Sequence, residues 1–270
     1  MPINKFDTTV LLVGSGAVDK SWVPVIRAFE ASDGVFDPDT ANCVFANVVY
    51  MMRFFYSSKS ATDEEKEKNK IRYLQLKEAV CYQIGESIKR GELRSHDVFD
   101  EILGRYVMTD TSHFALISTN WDTTIEDKMN ELQESKGKKR VLPLMAYHIH
   151  GIFNQPDSLY LPTETVREVY RDEEEETKLG MDHSGMIHLL QSADRIVLYG
   201  ISLDPLDAEL TQIISIGLST ETKELIIIDP NFEKVFKRIN IHISSENEVE
   251  IFGVNPTMEV NVKNRITVAR

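Results

Sequence analysis

Cysteine is scarce in this sequence, since Cys43 and Cys81 are the only two among 270 residues. Two cysteines can build neither a disulfide framework nor a four-cysteine zinc site, so we expect both to be reduced core residues. Long apolar runs are also missing, and the first seven residues lack the apolar region of a signal peptide. These absences favour a cytoplasmic protein with no bound metal and no membrane association.

Positive charge is also in short supply. Lysine and arginine total 30 against 43 aspartates and glutamates, which gives a formal net charge of −13. A protein that binds nucleic acid directly needs a basic surface, so we expect no such partner. A nucleotide is still compatible with this charge, because loop amides and helix N-termini can hold phosphates.

Apolar segments recur along the chain in a pattern typical of an α/β protein. They predict buried parallel strands at residues 8–13, 114–117, 141–149, 195–199, 224–228 and 249–254. Helical patterns separate most of these segments, and another helical stretch is predicted at 161–170. We therefore predict a single domain, residues 1–270, on a doubly wound, Rossmann-like parallel sheet of six strands, with 249–254 at the sheet edge.

Residues 35–110 interrupt this alternation. The sequence predicts an apolar, aromatic-rich helix at 43–55, a solvated charge run at 61–70 and further helices at 71–88 and 98–106. We interpret 35–110 as a helical module inserted after the first βα unit, with its aromatic side chains mainly in the core.

Polar loops follow the predicted strands, and each loop alone is compatible with an ordinary βα turn. They are Gly14-Ser15-Gly16, Asn120-Trp121-Asp122, His150-Gly151, Gly200-Ile201-Ser202 and Asp229-Pro230-Asn231. Because carboxyl ends of parallel strands meet at one edge of the sheet, we expect these loops to share a ligand crevice. Glycines in the first loop would let backbone amides approach a pyrophosphate, although Asp19 replaces the third glycine of a dinucleotide fingerprint. A tight turn without a ligand is the alternative there.

Two histidines end the predicted strand at 141–149. Strand alternation puts His148 and His150 on the same face, and the terminal His150 is better placed at the mouth of the sheet. A histidine followed by glycine at a strand end is a candidate for acid–base chemistry, whereas a lone histidine is more often structural.

The order of these loops resembles that of the sirtuin (SIR2) superfamily over residues 8–254. The family pattern GAGxSxxxGIPDFR aligns without gaps with GSGAVDKSWVPVIR, which keeps Gly14, Gly16, Pro24 and Arg27. STNWD resembles the family's TQNID or TNYD element, and His150-Gly151 falls on the catalytic His-Gly. Gly200 to Leu203 resembles the GxSL loop, and Asp229 to Asn231 falls where the family contacts the adenosine ribose.

The sequence departs from the pattern of deacetylating sirtuins at two places. The zinc module of deacetylating sirtuins needs four cysteines, and Val25-Ile26 replaces the Asp-Phe of PDFR. The pattern is similar to that of SIR2-like NADase effectors of prokaryotic anti-phage defence, which hydrolyse NAD to ADP-ribose and nicotinamide. The resemblance implies NAD as the substrate and no zinc.

The resemblance also implies roles for individual residues. His150 would be a base of near-neutral pKa, Asn120 would bind the ribose and water, and Asp122 would orient the loop or the ribose. The positions implied to bind NAD are Gly14, Ser15, Gly16, Arg27, Gly200, Ser202, Asp229 and Asn231. Arg27 could pair with phosphate or brace the first loop, and the sequence leaves both open.

Two other functions stay open at this stage. One is a sensor module that binds NAD or ADP-ribose without cleaving it, and the other is a protein ADP-ribosyltransferase or deacylase on the same scaffold. Because an uncontrolled NADase would kill its host, we expect gating by a homo-oligomer or by a separate sensor subunit. In the defence systems that the resemblance suggests, such a subunit is a HerA-type ATPase or a HAM1-like nucleotide-binding protein.

Overall fold

A computed structural model describes most of the chain. The described residues are 6–30, 40–109, 111–135, 143–168, 170–218, 221–240, 243 and 249–267. The first residues of the predicted strand at 141–149, and both ends of the predicted module at 35–110, lie outside these ranges.

Strands and helices alternate over much of the described chain. The strands are β1 (Phe6–Val13), β2 (Val18–Asp19), β3 (Arg94–Ser95), β4 (Thr111–Ser118), β5 (Tyr147–His148), β6 (Arg195–Tyr199), β7 (Glu224–Ile228), β8 (Glu250–Val254) and β9 (Asn264–Ile266). The α-helices are α1 (Val23–Glu30), α2 (Ala41–Ser57), α3 (Asp63–Lys89), α4 (Phe99–Ile102), α5 (Thr124–Ser135), α6 (Glu173–Gln191), α7 (Ala208–Leu218) and α8 (Phe232–Asn240). A π-helical turn, Leu103–Val107, follows α4 directly.

The main sheet has seven strands in the order β5-β4-β1-β6-β7-β8-β9. Strands β4 and β5 extend the sheet on one side of β1. Strands β6, β7 and β8 then extend it on the other side of β1. All of these pairs are parallel, and β9 alone is antiparallel to its neighbour. This order defines a Rossmann-like α/β fold whose switch point lies between β1 and β6.

The two faces of β1 contribute to two separate hydrophobic cores. Leu11 and Val13 belong to one core and Val10 and Leu12 to the other, as strand alternation requires. The first core includes residues of α2 and α3, and the second includes residues of α6 and α7. The central strand is therefore covered on both faces, which explains its continuous apolar sequence.

The prediction of six strands with 249–254 at the edge is wrong. A seventh strand, β9, pairs with β8 through Ile251 opposite Ile266 and covers that edge. The predicted strand at 141–149 is reduced to Tyr147–His148 in the described residues. One reason is Asn130 of α5, whose side chain accepts from the Leu144 amide at 2.8 Å and donates to the Leu144 carbonyl at 3.0 Å. These two bonds replace those of a strand partner.

One helix prediction also needs correction, since no helix occupies the described part of 161–170. The charge run at 61–70 has no buried residue, as predicted, and most of it forms the start of the long helix α3. Thr62 accepts from the Glu65 amide while the Glu65 carboxylate accepts from the Thr62 amide, forming a capping box that begins this helix.

The helical region between β1 and β4 is less fully buried than expected. Cys81 is buried but Cys43 is exposed, so the prediction that both are core residues holds only for Cys81. Among the aromatic side chains of α2, Phe45 is buried whereas Tyr50, Phe54 and Phe55 are exposed. Among the described residues, no helix is long and apolar enough to cross a bilayer.

Candidate active site

A cavity of about 320 Å³ opens beyond the carboxyl ends of the central strands. Five of the residues singled out in the sequence line it, namely Ser15, Asn120, Asp122, His150 and Ser202. They come from the loops after β1, β4, β5 and β6, so the sheet topology brings them together at the switch point. This volume is typical of a small-molecule site, for which about 300–1,000 Å³ is usual.

The loop after β4 presents Asn120 to this cavity. The Asn120 amide hydrogen is donated to Ser118 Oγ at 3.1 Å, and the residue is 7% exposed. Its side-chain nitrogen, Nδ2, is buried and has no hydrogen-bond partner among the described residues. A buried donor left unpaired costs stability, so this nitrogen is suited to an incoming oxygen atom of water or ligand.

Asp122 lies two residues before helix α5, which begins at Thr124. Its Oδ1 accepts from the Thr124 amide at 2.9 Å, which satisfies one of the free donors at the start of the helix. Burial raises the pKa of Asp122, against the lowering effect of the hydrogen bond from Thr124. The carboxyl group therefore has a structural partner as well as a place in the cavity wall.

His150 lies in the cavity wall as a neutral imidazole. Its ring is stacked on Tyr160 with centroids 5.4 Å apart, and the Tyr160 amide donates to the His150 carbonyl at 2.9 Å. Burial lowers the pKa of His150 to about 4, and electrostatic repulsion from the nearby His183 makes a smaller contribution in the same direction. The expectation of a near-neutral pKa is therefore wrong, although the ring is in the form that accepts a proton at pH 7.

Three cavity residues that the sequence analysis missed form a polar cluster beside His150. The Tyr160 hydroxyl donates to the carboxylate of Glu209, and His183 Nδ1 lies 3.8 Å from Glu209 Oε1. His183 Nε2 is 3.3 Å from the Ile149 carbonyl oxygen. Glu209 lies in the first turn of α7, shortly after the end of β6. This position after a strand is the one signal in the sequence by which Glu209 could have been found.

The cavity wall is rich in carboxyl groups. Asp122, Glu164, Asp207 and Glu209 line it, while no lysine or arginine is found among its described lining residues. Burial raises the pKa of Asp207 to about 6, and the nearby Asp204 acts in the same direction. Burial likewise raises the pKa of Glu164 to about 7, against the effect of Arg171. Such a wall favours a ligand that carries or develops positive charge.

Residues 160–165 form one side of the cavity, and carboxylates in and just after this segment hold it in place. Glu164 accepts from the Leu161 amide at 2.7 Å and from Tyr170, and Arg171 pairs with it in a buried ion pair. Glu168 accepts from the Thr165 amide at 2.7 Å. These bonds use backbone donors locally, which explains why the predicted helix does not form.

Thr163 carries backbone strain in this segment. Its φ of 72° lies in the left-handed region, which is unusual for a β-branched residue. Its carbonyl accepts from Arg53 of α2, and its hydroxyl is buried without a partner among the described residues. Strain of this kind concentrates at ligand sites.

The glycines at the switch point pack against each other rather than lining the cavity. The Gly14 amide donates to the Tyr199 carbonyl and the Gly16 amide to the Gly200 carbonyl, at 3.0 and 2.9 Å. A Cβ at Gly14 would lie 2.7 Å from the Gly200 oxygen, and Gly200 has a φ of +63°. The Gly14 and Gly16 amides are thus engaged within the protein, which leaves Ser15 as the loop's contact with the cavity.

Three further predicted site residues, besides the three glycines, do not line the cavity. Arg27 of α1 pairs with Glu92 and donates to Ser87 Oγ at 3.3 Å, so it braces α1 against the end of α3. Asp229 Oδ1 accepts from the Asn231 amide at 2.7 Å after β7, and Asn231 borders a separate groove.

Comparison with protein-family models and with curated proteins finds no match to this chain. The functional argument therefore depends on the residues of the cavity and on their chemistry.

Proposed function

We propose that this chain is an NAD⁺ glycohydrolase, which cleaves NAD⁺ to ADP-ribose and nicotinamide. The observation that carries the proposal is the pairing, in one cavity, of the unpartnered amide nitrogen of Asn120 with the neutral imidazole of His150. The first group can hold a ribose hydroxyl or water without adding charge, and the second can accept a proton at pH 7.

The proposed reaction needs little more than these two groups. The oxygen of water bonds to C1′ of the ribose as the bond from C1′ to the pyridinium nitrogen breaks. The electron pair of that bond goes to nicotinamide, which leaves neutral, and the proton of the water goes to His150. No general acid is required, because the leaving group needs no proton.

The carboxyl groups of the wall support the same proposal. Cleavage of a glycosidic bond passes through an oxocarbenium-like transition state, and the nicotinamide ring of NAD⁺ is itself cationic. The carboxyl oxygens of Asp122 and Glu209 favour positive charge at the reacting centre, in a lining without lysine or arginine among the described residues. Ser15 and Ser202 are then the hydroxyl donors toward the phosphates and the second ribose.

The cellular role we propose rests on the resemblance to SIR2-like effectors. The chain would deplete NAD in an anti-phage response in the cytoplasm, with the region of α2 to α4 as an inserted helical module. Gating would come from assembly of the chain with itself or from a separate sensor subunit. The exposed aromatic side chains of α2, Tyr50, Phe54 and Phe55, offer a surface for such a contact.

Nicotinamide release from NAD⁺ tests the proposal. Purified chain at high concentration should release nicotinamide and ADP-ribose in equal amounts. A protein that binds ADP-ribose but releases no nicotinamide would instead be the binding-only sensor.

A further inference from the structure

His148 is buried between two hydrogen-bond acceptors. Its Nδ1 lies 2.9 Å from the backbone oxygen of Asn120, and its Nε2 lies 3.1 and 3.0 Å from the two carboxylate oxygens of Glu126. The side chains of His148 and Glu126 are only 9% and 10% exposed. A neutral imidazole has one N–H and cannot donate to two acceptors, so with Glu126 as a carboxylate the imidazolium is the form that satisfies both partners.

The hydrogen bond from His148 Nδ1 is made to the backbone of Asn120, the residue on which the proposed function depends. The Asn120 amide donates to Ser118 Oγ, and the Ser118 hydroxyl is 3.4 Å from the Asn120 carbonyl oxygen. His148 supplies the charged donor to that same oxygen, and charged hydrogen bonds are about twice as strong as neutral ones. His148 is absent from the described lining of the cavity, so it reaches a ligand through neighbours such as Asn120 and not by direct contact.

We infer that the ion pair of His148 and Glu126 positions Asn120 for the reaction. The imidazolium holds the carbonyl of Asn120, and this fixes the direction in which the side-chain amide enters the cavity. Glu126, in the first turn of α5, keeps the imidazole charged and oriented. The inference rests on the proposed function and names His148 as a positioning residue for it.

The charge of His148 makes this device sensitive to alkaline pH. Burial lowers the pKa of His148, but Glu126, the Asn120 carbonyl and Asp122 outweigh it and raise the pKa above its usual value. The charged groups facing the ring are Glu126 on α5 and Asp122 in the loop after β4. When the ring loses a proton, the remaining hydrogen stays on Nε2 toward Glu126, and the Nδ1 lone pair faces the Asn120 carbonyl. NAD⁺ cleavage should therefore fall at alkaline pH.

Two double variants separate positioning from general support of the fold. In His148→Asn with Glu126→Gln, the asparagine Nδ2 takes the place of Nδ1 and keeps the bond to Asn120. In His148→Gln with Glu126→Gln, the glutamine nitrogen takes the place of Nε2 and loses that bond. We expect kcat within about tenfold of wild type for the first and lower by about 10²-fold for the second, since a misplacement of 1 Å can cost that much. KM should change less than kcat, and neither variant should show the alkaline fall.

Control substitutions of the same residue types come from exposed positions on helices α5 and α6. His188→Gln on α6 and Glu134→Gln on α5 alter exposed side chains and should leave kcat and the pH profile unchanged. Should the His148 variants not fold, Glu126→Gln alone gives the test, because removing its charge should move the alkaline fall to lower pH.

The outcomes distinguish this inference from the proposed function. An active wild type with equal losses in both double variants, or with an alkaline fall that survives them, would overturn the positioning role. An inactive wild type would overturn the proposed function, and the side-chain ¹⁵N spectrum of histidine would then decide the inference. Two protonated nitrogens in the His148 ring at neutral pH support it, and a single one refutes it.

Discussion

The imidazole of His150 lies face to face with the phenol ring of Tyr160, with the ring planes only 7° apart. The stack covers one face of the imidazole, and the hydroxyl of Tyr160 is engaged by Glu209. Water is kept away from His150 on that side, and this burial is the main reason why its pKa falls.

The lowered pKa predicts the acid side of the pH profile. Because His150 stays neutral down to a pH of about 4, NAD⁺ cleavage should persist through pH 5 and decline only as pH nears that value. An unperturbed histidine would cause the decline near pH 6.5. His183→Asn removes a neighbour that lowers the pKa of His150. As pH is lowered, NAD⁺ cleavage by this variant should therefore begin to decline at a higher pH than in wild type. A profile of kcat/KM between pH 4 and 8 measures both, and a wild-type decline centred at 6.5 would contradict the assignment.

The unpartnered nitrogen of Asn120 predicts a loss of ligand affinity on truncation. Asn120→Ala should weaken ADP-ribose binding by about five- to tenfold, since one good hydrogen bond to a ligand is worth about 1–1.5 kcal/mol. Calorimetry with ADP-ribose measures this directly.

Gln133 gives the matched control, because its Nε2 is also buried without a partner among the described residues but lies outside the cavity. Gln133→Leu should leave ADP-ribose affinity unchanged. Equal affinity losses in the two variants would mean that Asn120 acts through the fold alone.

The packing of the glycines predicts a stability effect rather than a specific binding effect. Gly14→Ala would force a Cβ against the Gly200 carbonyl and should lower the free energy of unfolding by about 1–3 kcal/mol. Gly104→Ala meets no heavy atom within 4 Å and should be neutral or stabilising. Urea unfolding compares the two variants. A Gly14→Ala protein as stable as wild type that fails to bind ADP-ribose would instead restore the loop as a direct phosphate site.

The exposed aromatic face of α2 predicts assembly. Tyr50 and Phe54 are 59% and 57% exposed, which leaves a sizeable apolar surface in contact with water. Phe54→Ser should shift sedimentation toward the monomer and reduce NAD⁺ cleavage at high protein concentration. Met258→Ser, at an 80% exposed site after β8, is the control and should change neither. A chain that is monomeric and fully active at every dilution would exclude gating by self-assembly.

The sequence predicts the central strands well because their signal is local. Buried parallel strands such as β6 and β7 are apolar over nearly their whole length, and such runs are visible in the sequence itself. The antiparallel β9 has only Ile266 as an apolar residue, so its pairing with β8 left no trace in the periodicity. The start of α6 has a local signal as well, since Asp172 caps the helix by accepting from the Glu175 amide.

The candidate site likewise contains residues that the sequence predicts and residues that it does not. Ser15, Asn120 and His150 lie just after strands, so the topology that the sequence predicts is enough to bring them together. His148 and Glu126 meet through a contact between β5 and α5 that no spacing in the sequence reveals. Arg27 matches a position of the family motif, but it pairs with Glu92 and does not line the cavity.

Nicotinamide release is the most direct test of the account. Wild type and His150→Phe, a variant that retains an aromatic ring to stack on Tyr160, are incubated with NAD⁺ at the protein concentration where assembly is complete. Chromatography then follows nicotinamide and ADP-ribose over time. We predict equal amounts of both products from wild type and a rate at least about 10²-fold lower from His150→Phe, as expected on removing a general base. No release by wild type, or equal release by the two proteins, would contradict the assignment of this cavity as an NAD⁺-cleaving site.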